Sequence, residues 1–125
     1  MTSIDVFVVI NILSNRSKWT FIFYKVFKLI LQSAIKNIRV QKTSLLADVD
    51  GKFDIIVANI LAEILLELIP QMDAHLNEGG QVIFSGIDYL QLPKIEKSLD
   101  ENGFKIDLTM KQGRWVGLAI TRKEK

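Results

Sequence analysis

Few of the 125 side chains stand where chemistry can be done. Asn59 ends the string FDIIVAN, part of a short apolar run (Phe53–Ile60) that suits a strand buried on both faces of a parallel sheet. Its amide then lies at the carboxyl end of that strand, the edge where α/β sheets bind ligands. An amide there can accept from an amine and also donate to a carboxylate. The competing role is a cap on the helix beginning at Leu61, which asparagine performs well. Ser85 and Gly86 close the next apolar run, QVIFSGI, on the same sheet edge. They can line a substrate, or Gly86 can simply permit a tight turn. Ser44 and Leu45 follow the alternating stretch Ile38–Thr43, where Ser44 also reads as an ordinary loop serine. Glu63 lies one turn into the helix. It can face the site, or it can serve as an acid favoured at a helix N-terminus. His75 reads as a solvated residue at a helix end. Trp115 reads as core packing in the last strand, with no substrate role.

Composition excludes several kinds of chemistry. With no cysteine there is no disulfide framework, thiolate metal site or cysteine nucleophile. With one histidine there is no multi-histidine metal site, and no metal is expected. A net charge of +2 is too small to indicate nucleic-acid binding by electrostatics. Residues 1–35 carry four basic residues and one acid; residues 36–125 carry twelve basic and thirteen acidic residues. The first 35 also hold six of the eleven aromatics, with no glycine before Gly51. Composition therefore breaks near residue 36. The early apolar runs fall short of the roughly 20 residues a membrane span needs, and Lys25 and Lys28 interrupt the second. No secretory cleavage site follows them.

The elements that must position these residues follow from periodicity. Ile4–Leu13 is rich in β-branched residues and reads as a buried strand. Trp19–Ile35 reads equally as helix or strand. Ile38–Thr43 is a half-exposed strand and Phe53–Ile60 a buried one. Leu61, Ile64, Leu65, Leu68, Ile69, Met72 and Leu76 form a helical stripe. Pro70 is expected to start a second helical piece, and Glu78-Gly79-Gly80 to end it. Gln81–Ile87 is a strand and Tyr89–Asn102 a helix capped at Gly103. Phe104–Met110 and Trp115–Thr121 form an antiparallel hairpin. Strands alternating with helices indicate an α/β fold with a parallel sheet.

The ordered string KFDIIVANILAEILLELIPQMDAHLNEGGQVIFSGI, residues 52–87, resembles the core of the ribosomal protein L11 methyltransferases. NGF (Asn102–Phe104) and GRWVGLAI (Gly113–Ile120) also sit where that family has them. The resemblance covers about ninety residues, from Lys36 onward. It implies a partial Rossmann-like class I methyltransferase sheet ending in an antiparallel hairpin. It implies S-adenosylmethionine as cofactor, with Asn59 contacting it near the reactive methyl group and holding the amine that receives the methyl. It places Ser44 and Leu45 beside the adenine ring, where many members have an acid at the Ser44 position. It implies methylation of lysine side chains or the amino terminus of ribosomal protein L11, in the cytoplasm, without direct nucleic-acid binding.

The same resemblance exposes what is missing. The fold needs a glycine-rich turn after its first strand and an acid at the end of the second to hold the ribose hydroxyls. Residues 1–50 contain no glycine, and Asp5 is the sole acid before Asp48. The family's separate substrate-gripping N-terminal domain also has no room. Residues 1–35 are therefore expected to be unrelated to the family, through a frameshift, a misplaced start or a gene remnant. Residues 36–125 are expected to be the C-terminal part of a methyltransferase domain, impaired as an enzyme. The alternatives are a non-catalytic module that dimerises through an exposed sheet edge left by the two lost strands, and a small membrane-associated protein anchored by residues 19–31.

Overall fold

The computed structural model describes residues 5–10, 37–41, 46 and 50–124. Six strands among these form one sheet: β1 (Asp5–Ile10), β2 (Asn37–Gln41), β3 (Phe53–Asn59), β4 (Leu76–Asp88), β5 (Phe104–Gln112) and β6 (Trp115–Arg122). Their spatial order is β2-β1-β3-β4-β6-β5. β1 runs parallel to both β2 and β3, and β3 parallel to β4; β6 enters antiparallel between β4 and β5. The fold is thus the expected α/β class with its closing antiparallel hairpin. The expected strand over Ile4–Leu13 is seen as Asp5–Ile10. The undecided segment Trp19–Ile35 lies outside the described residues. Among the described residues no helix is long and apolar enough to cross a membrane.

Among the described residues two helices connect the strands. α1 (Ala62–Met72) links β3 to β4, and α2 (Leu92–Glu101) links β4 to the hairpin. Leu65, Leu68, Ile69 and Met72 of α1 are buried, as are Ile95 and Leu99 of α2. They join Ile56 and Ala58 of β3, Val82 and Phe84 of β4, and Val116, Leu118 and Ile120 of β6 in a single core. Burying each large apolar side chain contributes roughly 1.5–3 kcal/mol. Phe7 of β1 belongs to the same core, fully buried and 4.9 Å from the Phe53 ring. The alternate residues, Val57 and Asn59 on β3 and Ile83 and Ser85 on β4, lie on the other face of the sheet.

Two expectations are corrected. Pro70 does not begin a second helical piece: α1 runs through it to Met72. The residue is exposed, and the hydrogen bond it forgoes belongs to the last turn, where the helix is ending anyway. Glu78-Gly79-Gly80 does not follow a helix. It lies within β4, where the register jumps from Phe53↔Leu76 to Ile55↔Gln81 and Gly79 takes φ 76°. A strand start at Leu76 is possible because a 3-10 turn (Asp73–His75) ends the helical region first. β1 pairs along β3, so the outer strands among the described residues are β2 and β5.

Candidate active site

The carboxyl edge of the parallel strands gathers the candidate residues. β1 ends at Ile10, paired with Asn59 at the end of β3. Ala58 pairs with Phe84, which brings Asn59 beside Ser85 on the face away from the helices. Asn59 is 9% exposed and is the sole buried polar residue among those described. It does not cap α1. The N-cap is Leu61, which has no side-chain cap, and the first turn closes through Ile64 and Leu65 N–H groups donating to the Leu61 carbonyl. Among the described residues no hydrogen bond is recorded for the Asn59 amide. Ser85 Oγ is also buried and without a partner. Unpaired buried polar groups cost about 1–3 kcal/mol each and are uncommon. The unpartnered Ser85 hydroxyl beside the largely buried Asn59 amide marks this sheet edge as a place kept ready for a ligand.

The backbone is shaped around them. β4 pairs Phe84 with Leu118 but Ile87 with Val116, so Ser85 and Gly86 together oppose Gly117. This is a β-bulge, a device that re-aims side chains beside active sites. Gly86 sits at φ 73°, and a Cβ there would lie 2.7 Å from Asn59 Oδ1. Gly86 is therefore required both for the turn and for the close approach of the asparagine amide.

Beyond the bulge a latch fixes the rim. Asp88 accepts a short charge-assisted hydrogen bond from Arg114 and a second bond from Leu90 N–H at 3.1 Å. Tyr89 N–H donates to the Arg114 carbonyl at 2.9 Å. Lys111 stands 4.7 Å over the Tyr89 ring, and Arg114 lies 5.4 Å from the Trp115 ring. The Arg114 hydrogen bond, followed by that of Leu90, holds the Asp88 carboxyl below the usual carboxylate range. The same pairing raises Arg114. Trp115 is not core: it is 50% exposed. It occupies the first position of β6 opposite Asp88, on the face opposite α1 and α2. Nothing in the sequence signalled the latch, since its partners are 26 residues apart.

The other candidates fall elsewhere. Ser44 and Leu45 lie outside the described residues. The next described residue, Leu46, is buried, and its N–H donates to Gln71 Oε1 at 2.9 Å, in the last turn of α1. Glu63 is exposed in the first turn of α1. His75 does end a helical turn, but it is half-buried, with Nδ1 2.9 Å from the Gly51 carbonyl oxygen. Among the described residues no acidic, histidine or cysteine cluster could hold a metal ion.

Comparison with known proteins gives this geometry a context. The family model "Ribosomal protein L11 methyltransferase (PrmA)" matches residues 29–123. A ribosomal protein L11 methyltransferase of Lactobacillus acidophilus is 88% identical over 91 residues, covering 73% of this chain and 29% of that protein. One from Lactobacillus delbrueckii is 77% identical over the same length. The chain thus spans about a third of the length of these relatives. The crystal structure of a ribosomal protein L11 methylase from L. delbrueckii superposes with a TM-score of 0.73 and 53% identity, over 99% of this chain and 72% of that one. A putative methyltransferase from Thermoplasma acidophilum, at 14% identity and a TM-score of 0.61, shares the fold. The family model covers most of the chain and the relatives match it at high identity: the chain belongs to the ribosomal protein L11 methyltransferase family.

Proposed function

We propose that the chain carries the acceptor-side half of an S-adenosylmethionine-dependent protein methyltransferase site, and that its cofactor affinity is weak. The observation that carries this reading is the buried Asn59 amide beside the unpartnered Ser85 hydroxyl on the carboxyl edge. Both groups are neutral, which suits an amine that must shed its proton before attack. S-adenosylmethionine, when bound, supplies the electrophilic methyl group. The Asn59 carbonyl oxygen accepts from the acceptor nitrogen and aims its lone pair. Ser85 and Gly86 border the acceptor side, and the Gly86 bulge keeps the amide in place. Positioning of this kind provides much of the rate in a displacement reaction.

The other half of the fit fails. β1 occupies the sheet position beside β3, yet Asn11-Ile12-Leu13-Ser14 after it contains no glycine that would let backbone approach a cofactor. Ser44 and Leu45 remain our proposed contacts to the adenine ring. The acceptor we propose is a lysine side chain or the amino terminus of ribosomal protein L11, the substrate in the relatives' names. A cytoplasmic location follows from that substrate.

We also read residues 1–35 as separate in origin from 36–125. Identity to the L. delbrueckii relative is 77% over 91 residues but 53% where 99% of the chain is superposed on the crystal structure from that species. The lower figure over nearly the whole chain supports that reading. Calorimetric titration with S-adenosylhomocysteine tests the site. Weak heat of binding that disappears in Asn59→Ala is expected. Binding unchanged in Asn59→Ala would remove the asparagine from the site. Tight binding would show that another part of the chain replaces the glycine turn.

A further inference from the structure

Gln71 does more than end a helix. It stands half-buried in the last turn of α1, and its Oε1 accepts from Leu46 N–H at 2.9 Å across 25 residues of sequence. Leu46 itself is fully buried in the core. Its N–H would be costly to leave unpaired there. The Gln71 Nε2 donates to the Glu67 carbonyl at 3.2 Å, one helical turn back. That bond commits the donor end of the amide to the helix and turns the acceptor end to Leu46. Glutamine suits the place because its amide carries a donor and an acceptor together without a charge.

The bond falls at a point that bears on the cofactor. The peptide unit carrying the Leu46 N–H is the one that joins Leu46 to Leu45, and Ser44 is one residue further. Taking Ser44 and Leu45 as the adenine contacts proposed above, on which this inference rests, we propose that Gln71 is a positioning residue for the adenine side of the cofactor site. From α1 it fixes the backbone at Leu46, and so limits where the two preceding residues can meet the ring. The same helix starts three residues after Asn59, so one rigid element of 11 residues ties the adenine side to the acceptor side. The tie carries more weight in this chain because no glycine turn follows β1 to share the cofactor. A binding segment that holds its competent arrangement only part of the time loses affinity by that fraction.

NMR titration of the full chain with adenosine, and separately with S-adenosylhomocysteine, tests this. Gln71→Met keeps the length of the side chain and removes the acceptor. Gln71→Glu keeps an acceptor oxygen for Leu46 and gives up the bond to Glu67. Gln71→Met is expected to weaken both ligands by about fivefold, the factor to which one net hydrogen bond corresponds. Gln71→Glu is expected to recover most of that loss. A purely structural role would lower the melting temperature of Gln71→Met and leave its affinities unchanged where it is folded. Affinities of Gln71→Met equal to those of the parent therefore overturn the inference and leave the acceptor-side reading standing. A Gln71→Glu that binds as weakly as Gln71→Met overturns it too. A parent that binds neither ligand overturns the cofactor reading and the inference together. Should Gln71→Met fail to fold, the Leu46 amide signal of the parent decides: it is expected to shift on addition of adenosine, and an unmoved signal overturns the inference.

Discussion

Gly86 and Asn59 are coupled at the level of single atoms. The glycine takes φ 73° and leaves 2.7 Å between a would-be Cβ and Asn59 Oδ1. Gly86→Ala therefore faces backbone strain and a clash at once, a cost of about 1–3 kcal/mol. Denaturant titration measures it. The asparagine amide must also move, so the heat of S-adenosylhomocysteine binding should fall with it. Gly113 offers a control: it too has positive φ, at 60°, but no atom lies within 4 Å of its would-be Cβ. Gly113→Ala should cost stability without touching the ligand. If both variants affect binding equally, contact with Asn59 is not what makes Gly86 matter.

At the scale of elements, two connections fix the hairpin to the sheet, one at each end. At the amino edge Arg122 of β6 donates to Asp73 Oδ1 at 2.6 Å and to the carbonyls of Asp73, Leu76 and Asn77. They include the carbonyls of Asp73 and Leu76, the residues that cap α1 and the 3-10 turn. Arg122→Ala should cost about 1–3 kcal/mol, toward the lower end because the Asp73 partner is 70% exposed. Arg122→Lys should recover little of it, since one ammonium cannot span that set of acceptors. A thermal melt of the three proteins checks the order. At the carboxyl edge the Asp88–Arg114 latch works through charge. The folded pKa of Asp88 lies below its unfolded value. Its contribution is thus complete above the unfolded value and is lost as pH falls through the folded one. Acidification should loosen the turn around Trp115 before the core melts. The Asp88 carboxyl carbon and Trp115 indole signals, followed by NMR titration, should shift together in the acid range. An Asp88 that titrates at the ordinary aspartate value would dismiss the latch. Raised salt should weaken it, as the pair is exposed.

For the molecule as a whole, the question is whether β1 is part of the domain or attached to it. Phe7 is fully buried, packs against Phe53 and joins the core that α1 and α2 cover. Phe7→Ala should cost about 3–5 kcal/mol if that core is one cooperative unit. A loss below about 1 kcal/mol, in the range of surface substitutions, would mean that β1 adds nothing to the core. A strand can serve the core without serving the site. The core accepts any apolar side chain of suitable volume, whereas a cofactor turn needs glycine at fixed positions.

Sequence by itself determined the α/β class, the closing hairpin and the identity of Asn59 as the edge residue. Each rests on local information: alternation in the strands, the apolar stripe of α1 and an ordered family string. Phe53–Asn59 and Gln81–Ile87 were legible because strands buried on both faces leave continuous apolar runs. Tertiary structure decided the rest. Gly79-Gly80 lies within a strand because β4 pairs with β3 as early as Leu76, a long-range contact that outweighs local breakers. Trp115 lies open to solvent because the register of β6 turns its first residue away from the helices, and slipping one residue would bury it. The Ser85–Gly86 bulge, the Arg122 clamp and the Asp88–Arg114 latch all join residues distant in sequence. No period or propensity encodes which distant partner a side chain will meet; only the closed sheet does.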